Sequence, residues 1–82
     1  MPPLAEEIFE AIVSANKSLS TKEIADKINM AQAFNVAVSP KSVYDAMRRE
    51  LLKGNYVFYM TDEKVQPPTY NVDPRYYALY GF

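Results

Sequence analysis

The fold of this chain turns on the stretch Leu19-Ser20-Thr21-Lys22-Glu23-Ile24-Ala25-Asp26-Lys27-Ile28-Asn29. A serine before a helix accepts a hydrogen bond from the third helical N–H, and a glutamate at that third position returns one to the serine N–H. Ser20 and Glu23 stand at this spacing, and Leu19 with Ile24 brackets them as a hydrophobic staple. Ile24, Ala25 and Ile28 fall on one face of the helix so begun. Asn29, which tolerates the left-handed conformation, supplies a stop. The spacing predicts a helix over residues 20–29.

Working outward, Ser39-Pro40-Lys41-Ser42-Val43 is a second start, with Ser39 as cap and Pro40 at the first helical position. It opens a helix over 39–53, in which Val43, Met47 and Leu51 face the core with Ala46 and Tyr44 beside them. Gly54-Asn55 closes it. Upstream, Pro2-Pro3 opens a helix over 3–15 with Leu4, Ile8, Phe9, Ile12 and Val13 on one side. Between the second and third helices, Met30–Phe34 reads as a helical turn or extension and Val36–Val38 as a short strand. After Gly54, residues 56–60 and 75–80 read as strands because they are rich in aromatic and β-branched side chains. Thr61–Lys64 is turn-like, and Pro67-Pro68 prevents regular pairing.

Composition narrows the chemistry. The 82 residues contain no cysteine and no histidine, which excludes disulfides, thiolate chemistry, the usual zinc sets and histidine-based acid–base catalysis. With two glycines there is no phosphate-cradling loop, and serines at caps and turns have no base to activate them, so the chain reads as a non-enzyme without cofactor or metal. The apolar runs are too short to span a membrane, and Met-Pro-Pro-Leu-Ala-Glu-Glu lacks the basic start of a signal peptide. A cytoplasmic location is expected, nucleoid-associated or, in a eukaryote, nuclear.

Net charge is −1, but it is segregated: residues 4–15 carry Glu6, Glu7 and Glu10 and no base, while 40–54 carry Lys41, Arg48, Arg49 and Lys53 against Asp45 and Glu50. The positive end lies on the third helix, where arginine and lysine can meet phosphates or guanine acceptors and Ser42 can meet backbone. Against this, Asp45 lies four residues from both Lys41 and Arg49 and can pair with them as a solvated face.

Eight of the eleven aromatics follow residue 55, more than one buried ribbon face needs. The surplus is explained by packing, by a protein interface using Tyr56, Tyr59, Tyr76, Tyr77 and Tyr80, or by base stacking. The acidic neighbours Asp62, Glu63 and Asp73 disfavour base stacking. Pro67-Pro68-Thr69-Tyr70 fits the pattern that WW domains bind.

Three helices followed by a two- or three-stranded β-wing is an α+β order that resembles the winged helix-turn-helix superfamily over nearly the whole chain. Thr21–Ile28, the long connector, Ser39-Pro40 and Val43-Tyr44-Asp45-Ala46-Met47 look similar to HARE-type helix-turn-helix domains. That resemblance implies a role in DNA-linked assemblies, sometimes through protein contacts. The sequence therefore predicts one winged helix domain over 1–82, a DNA-binding transcriptional regulator or accessory factor. Lys41, Ser42, Arg48 and Arg49 approach the major groove of double-stranded DNA, with Lys53, Lys64 and Arg75 on phosphate. The alternative is a protein-interaction winged helix that uses the tyrosine-rich wing, as a homodimer or with another protein, and binds little or no DNA.

Overall fold

The capping box expected at Ser20 is formed: Glu23 N–H donates to Ser20 Oγ at 3.2 Å and Ser20 N–H donates to Glu23 Oε1 at 3.0 Å. The returned bond to the Ser20 backbone holds the Glu23 carboxyl below its ordinary value. Its contribution is therefore present at neutral pH and fades as pH falls through that lowered value. The computed structural model describes residues 1–62 and 64–79. Their elements in chain order are α1 (Pro3–Ala15), β1 (Leu19–Ser20), α2 (Thr21–Met30), α3 (Pro40–Leu52), β2 (Phe58–Met60), β3 (Thr69–Val72) and α4 (Pro74–Leu79).

Local chemistry explains the helix ends. Pro3 starts α1 and Asn16, at φ 53°, ends it in the left-handed region, its N–H reaching the Ile12 and Val13 carbonyls. Ser39 Oγ accepts from Ser42 N–H at 3.1 Å to start α3. Gly54, at φ 84°, turns the chain after it. The buried faces of α1, α2 and α3 meet in one core whose fully enclosed members include Ile8, Ile12, Leu19, Ile24, Val43 and Val72.

The strands form one antiparallel sheet in the order β1-β3-β2. Leu19 faces Tyr70 and Ser20 faces Thr69 on one side of β3; Phe58, Tyr59 and Met60 face Val72, Asn71 and Tyr70 on the other. The fold is α+β, with topology consistent with a winged helix: three helices, a β2–β3 hairpin, and β1 as the third strand.

Four expectations are corrected. The third strand is Leu19–Ser20, before α2, and not Val36–Val38. Asn29 does not end α2 by a left-handed turn; the helix continues through Met30, and Gln32 adopts φ 53° instead. The Asn29 amide reaches across the connector, accepting from Val38 N–H at 2.7 Å and donating to Val38 C=O at 3.0 Å. Both backbone groups of Val38 are thereby satisfied without a strand partner. Finally, the wing strands are shorter than 56–60 and earlier than 75–80: β3 is Thr69–Val72, and Pro74–Leu79 is helical, while Tyr80 lies outside the described residues. The reason is local. Asp73 Oδ1 accepts from Arg75 N–H at 3.0 Å and Pro74 takes the first helical position, an N-terminal signal that outweighs the β-propensity of the tyrosines. Asn71 ties β3 to its surroundings, receiving the Tyr77 hydroxyl at 2.9 Å and donating to Ser18 Oγ at 3.1 Å.

The connector clamp leads to a direct expectation. Asn29→Ala removes both bonds to Val38 and should cost about 1–2 kcal/mol, at roughly 1 kcal/mol per net hydrogen bond. Chemical denaturation reads the loss, and faster exchange of the Val38 amide localises it; unchanged exchange there would show that the clamp holds nothing.

Candidate nucleic-acid interface

Helix α3 buries Val43, Ala46, Met47 and Glu50, positions that stay in register with the 3.6-residue turn. Lys41, Ser42, Arg48, Arg49 and Lys53 are consequently all exposed. Their charges are not equally free. Lys41 Nζ is 2.9 Å from Asp45 Oδ2, and Lys53 Nζ is 3.4 Å from Glu50 Oε2. The Ser42 hydroxyl lies 2.9 Å from Ser39 Oγ within the helix cap. Among the described residues, neither Arg48 nor Arg49 has an ion-pair or hydrogen-bond partner for its guanidinium. One residue apart, they are set about 100° from each other around the helix, and Arg48 lines the groove between α3 and the hairpin.

The two wing bases are placed differently. Lys64 is exposed beside Asp62, whose Oδ1 accepts the Lys64 backbone N–H at 2.8 Å. Arg75 stands on α4, and Nε and Nη2 grip Asp73 at 3.1 and 2.9 Å. That contact holds the Asp73 carboxyl below its ordinary value and raises Arg75 further. The pair is electrically neutral, with the arginine exposed and the aspartate partly shielded.

The tyrosines also divide. Tyr56 and Tyr59 are exposed, whereas Tyr76 and Tyr77 pack against the core. Burial, and secondly the neighbouring Tyr59, raises the Tyr77 hydroxyl. Tyr80 lies outside the described residues. Tyr70 sits in the central strand, its hydroxyl raised by burial and then by nearby Tyr44, so the Pro67-Pro68-Thr69-Tyr70 segment is part of the sheet from Thr69 onward.

A groove of about 200 Å³ runs between α3 and the hairpin, lined by Tyr44, Arg48, Leu51, Phe58, Met60 and Tyr70. Leu51, expected in the core, is 47% exposed at its edge, and Leu52 beyond it is 73% exposed. The spacing of four from Val43 through Met47 to Leu51 drifts about 40° per step; following three-and-four spacing from Val43 reaches Glu50 instead. That signal is present in the sequence, but a glutamate argues against itself as a core residue.

Among the described residues no helix is long and apolar enough to cross a membrane, and no group of acidic residues is arranged to hold a metal ion. Compared with known proteins, the chain matches no family model, no curated protein and no solved structure.

Proposed function

We propose that this chain is a winged helix DNA-binding module, a transcriptional regulator or accessory factor, that sets the outward face of α3 against duplex DNA. The observation that carries the reading is the pair of arginines, Arg48 and Arg49, exposed on α3 with no counter-charge among the described residues. A guanidinium with no partner in the free protein gives none up when it meets a phosphate or a guanine. Lys41 and Ser42 stand at the start of the same helix, and Lys53 and Lys64 are exposed for phosphate contact. Arg75 contributes only after leaving Asp73. The resemblance of the helix pair to HARE-type domains points the same way.

With so few uncompensated bases, affinity should be modest and steeply salt-dependent. Fluorescence anisotropy with a mixed-sequence duplex, between about 50 and 200 mM salt, tests this. Replacing Arg48 and Arg49 together by alanine is expected to weaken binding about tenfold or more. The log–log salt slope should flatten by about 0.9 for each phosphate that the variant no longer neutralises. Absence of binding to any duplex at low salt ends the proposal, as does a double variant that binds like the parent.

A further inference from the structure

The outer edge of β2 (Phe58–Met60) is an open strand edge of the sheet among the described residues. In the sheet order β1-β3-β2 this strand has, among the described residues, a neighbour on one side only. Its ladder shows which groups are left over. Asp73 N–H donates to Val57 C=O at 2.8 Å and Thr61 N–H donates to Thr69 C=O at 2.9 Å. Antiparallel pairs alternate, so Val57, Tyr59 and Thr61 turn their backbone groups toward β3. The N–H and C=O of Phe58 and of Met60 therefore point outward, along the free edge.

Proteins usually guard such an edge with lysine, proline or a bulge. Residues 56–61, Tyr-Val-Phe-Tyr-Met-Thr, carry neither a charge nor a proline. Tyr56, Tyr59 and Met60 are 64%, 45% and 41% exposed, and Leu51 of α3 lines the groove beside Phe58 and Met60. Successive strand residues alternate faces, so Met60 extends this apolar surface on the face it shares with Phe58, and Tyr59 on the other, and a strand laid along the edge meets both.

We propose that β2 pairs antiparallel with β2 of a second copy, about a two-fold axis at Tyr59. In that register Phe58 of each copy faces Met60 of the other, and the four outward backbone groups on each strand find partners. Tyr59 meets its own copy across the axis, as a closely spaced non-hydrogen-bonded pair. The two sheets become one six-stranded sheet, and the interface is self-complementary, as two-fold symmetry requires. The absence of charge on residues 56–61 removes the like-charge repulsion that self-pairing otherwise meets. This inference does not rest on DNA binding, and its readout is mass.

Sedimentation of the chain from about 10 μM to 1 mM should show the mass rising from 9.4 kDa toward twice that value. Tyr59→Lys places like charges on the axis and should raise the dissociation constant at least about tenfold, with the circular dichroism spectrum retained. Tyr59→Glu should do the same. An equimolar mixture of the two variants should restore the dimer, because opposite charges then face each other, a result that misfolding cannot produce. Met60→Pro, which removes an edge-facing N–H together with the exposed methionine side chain, should also weaken association. A monomer throughout, a dimer indifferent to Tyr59→Lys, or a mixture that fails to re-form overturns the proposal. So does a monomer whose residues 56–60 lose amide exchange only when an extended apolar peptide is added, which would assign the edge to a foreign strand.

Discussion

Truncating Leu19 to alanine is expected to cost about 3–5 kcal/mol, the upper part of the range for a buried leucine. Leu19 is fully enclosed and does three things at once. It is the outer half of the staple that sets the entry of α2 against Ile24, it pairs with Tyr70 as part of β1, and it fills the core between helices and sheet. Because both its chain neighbours are held, Ser20 by the capping box and the β1–β3 pair and Ser18 by the Asn71 amide, the site resists collapsing to fill the cavity. A domain of this size is stable by about 5–15 kcal/mol, so the loss would be a large share of the whole. Urea unfolding measures it, with Leu52→Ala as the control: that side chain is 73% exposed, and its truncation should stay within about 0.5 kcal/mol. A loss below about 1 kcal/mol at Leu19 would contradict the packing described above.

The opposite sign is expected at Glu50. This carboxylate is 1% exposed on the buried stripe of α3, and neither oxygen accepts a hydrogen bond among the described residues. Its nearest countercharge, Lys53 Nζ at 3.4 Å, is half exposed to solvent and screened accordingly. Taking a carboxylate out of water costs several kcal/mol, and one loose ion pair offsets only part of it. Glu50→Leu should therefore stabilise the fold by about 1–3 kcal/mol, raising the thermal midpoint by about 4–8 °C per kcal/mol in a domain of this length. Lys53→Met, which strips the partner and leaves the charge, should destabilise it. Thermal unfolding of both variants distinguishes the pair from a stabilising contact: if leucine at this position lowers the midpoint, the carboxylate is holding the fold together.

Glu50 also shows where sequence reading stops. The helix face follows the 3.6-residue period, and the period alone carries Val43, Ala46 and Met47 to position 50. Residue type argues the other way, assigning to Leu51 the core position that Glu50 occupies. On the candidate site, the exposure of Lys41, Ser42, Arg48, Arg49 and Lys53 follows from that same period and is legible. Which of them carry free charge is not. Lys41 with Asp45 is readable at four-residue spacing, but the grip of Asp73 on Arg75 requires the helix that begins at Pro74.

What the sequence determined by itself was set by neighbours within about one helical turn: the capping box at Ser20, the Ser39-Pro40 start, the Gly54 turn, and the stripes that pack α1 and α2. Each of these is a hydrogen bond or a contact between residues three or four apart, so its geometry is written in the spacing. Tertiary structure decided the rest. Leu19–Ser20 is a strand because Thr69–Tyr70 lies beside it, and Val38 is not one because Asn29 satisfies its backbone. β2 is an edge because β3 took the centre of the sheet. A strand has no hydrogen bonds of its own, so its existence depends on a partner far along the chain, and no local pattern names that partner.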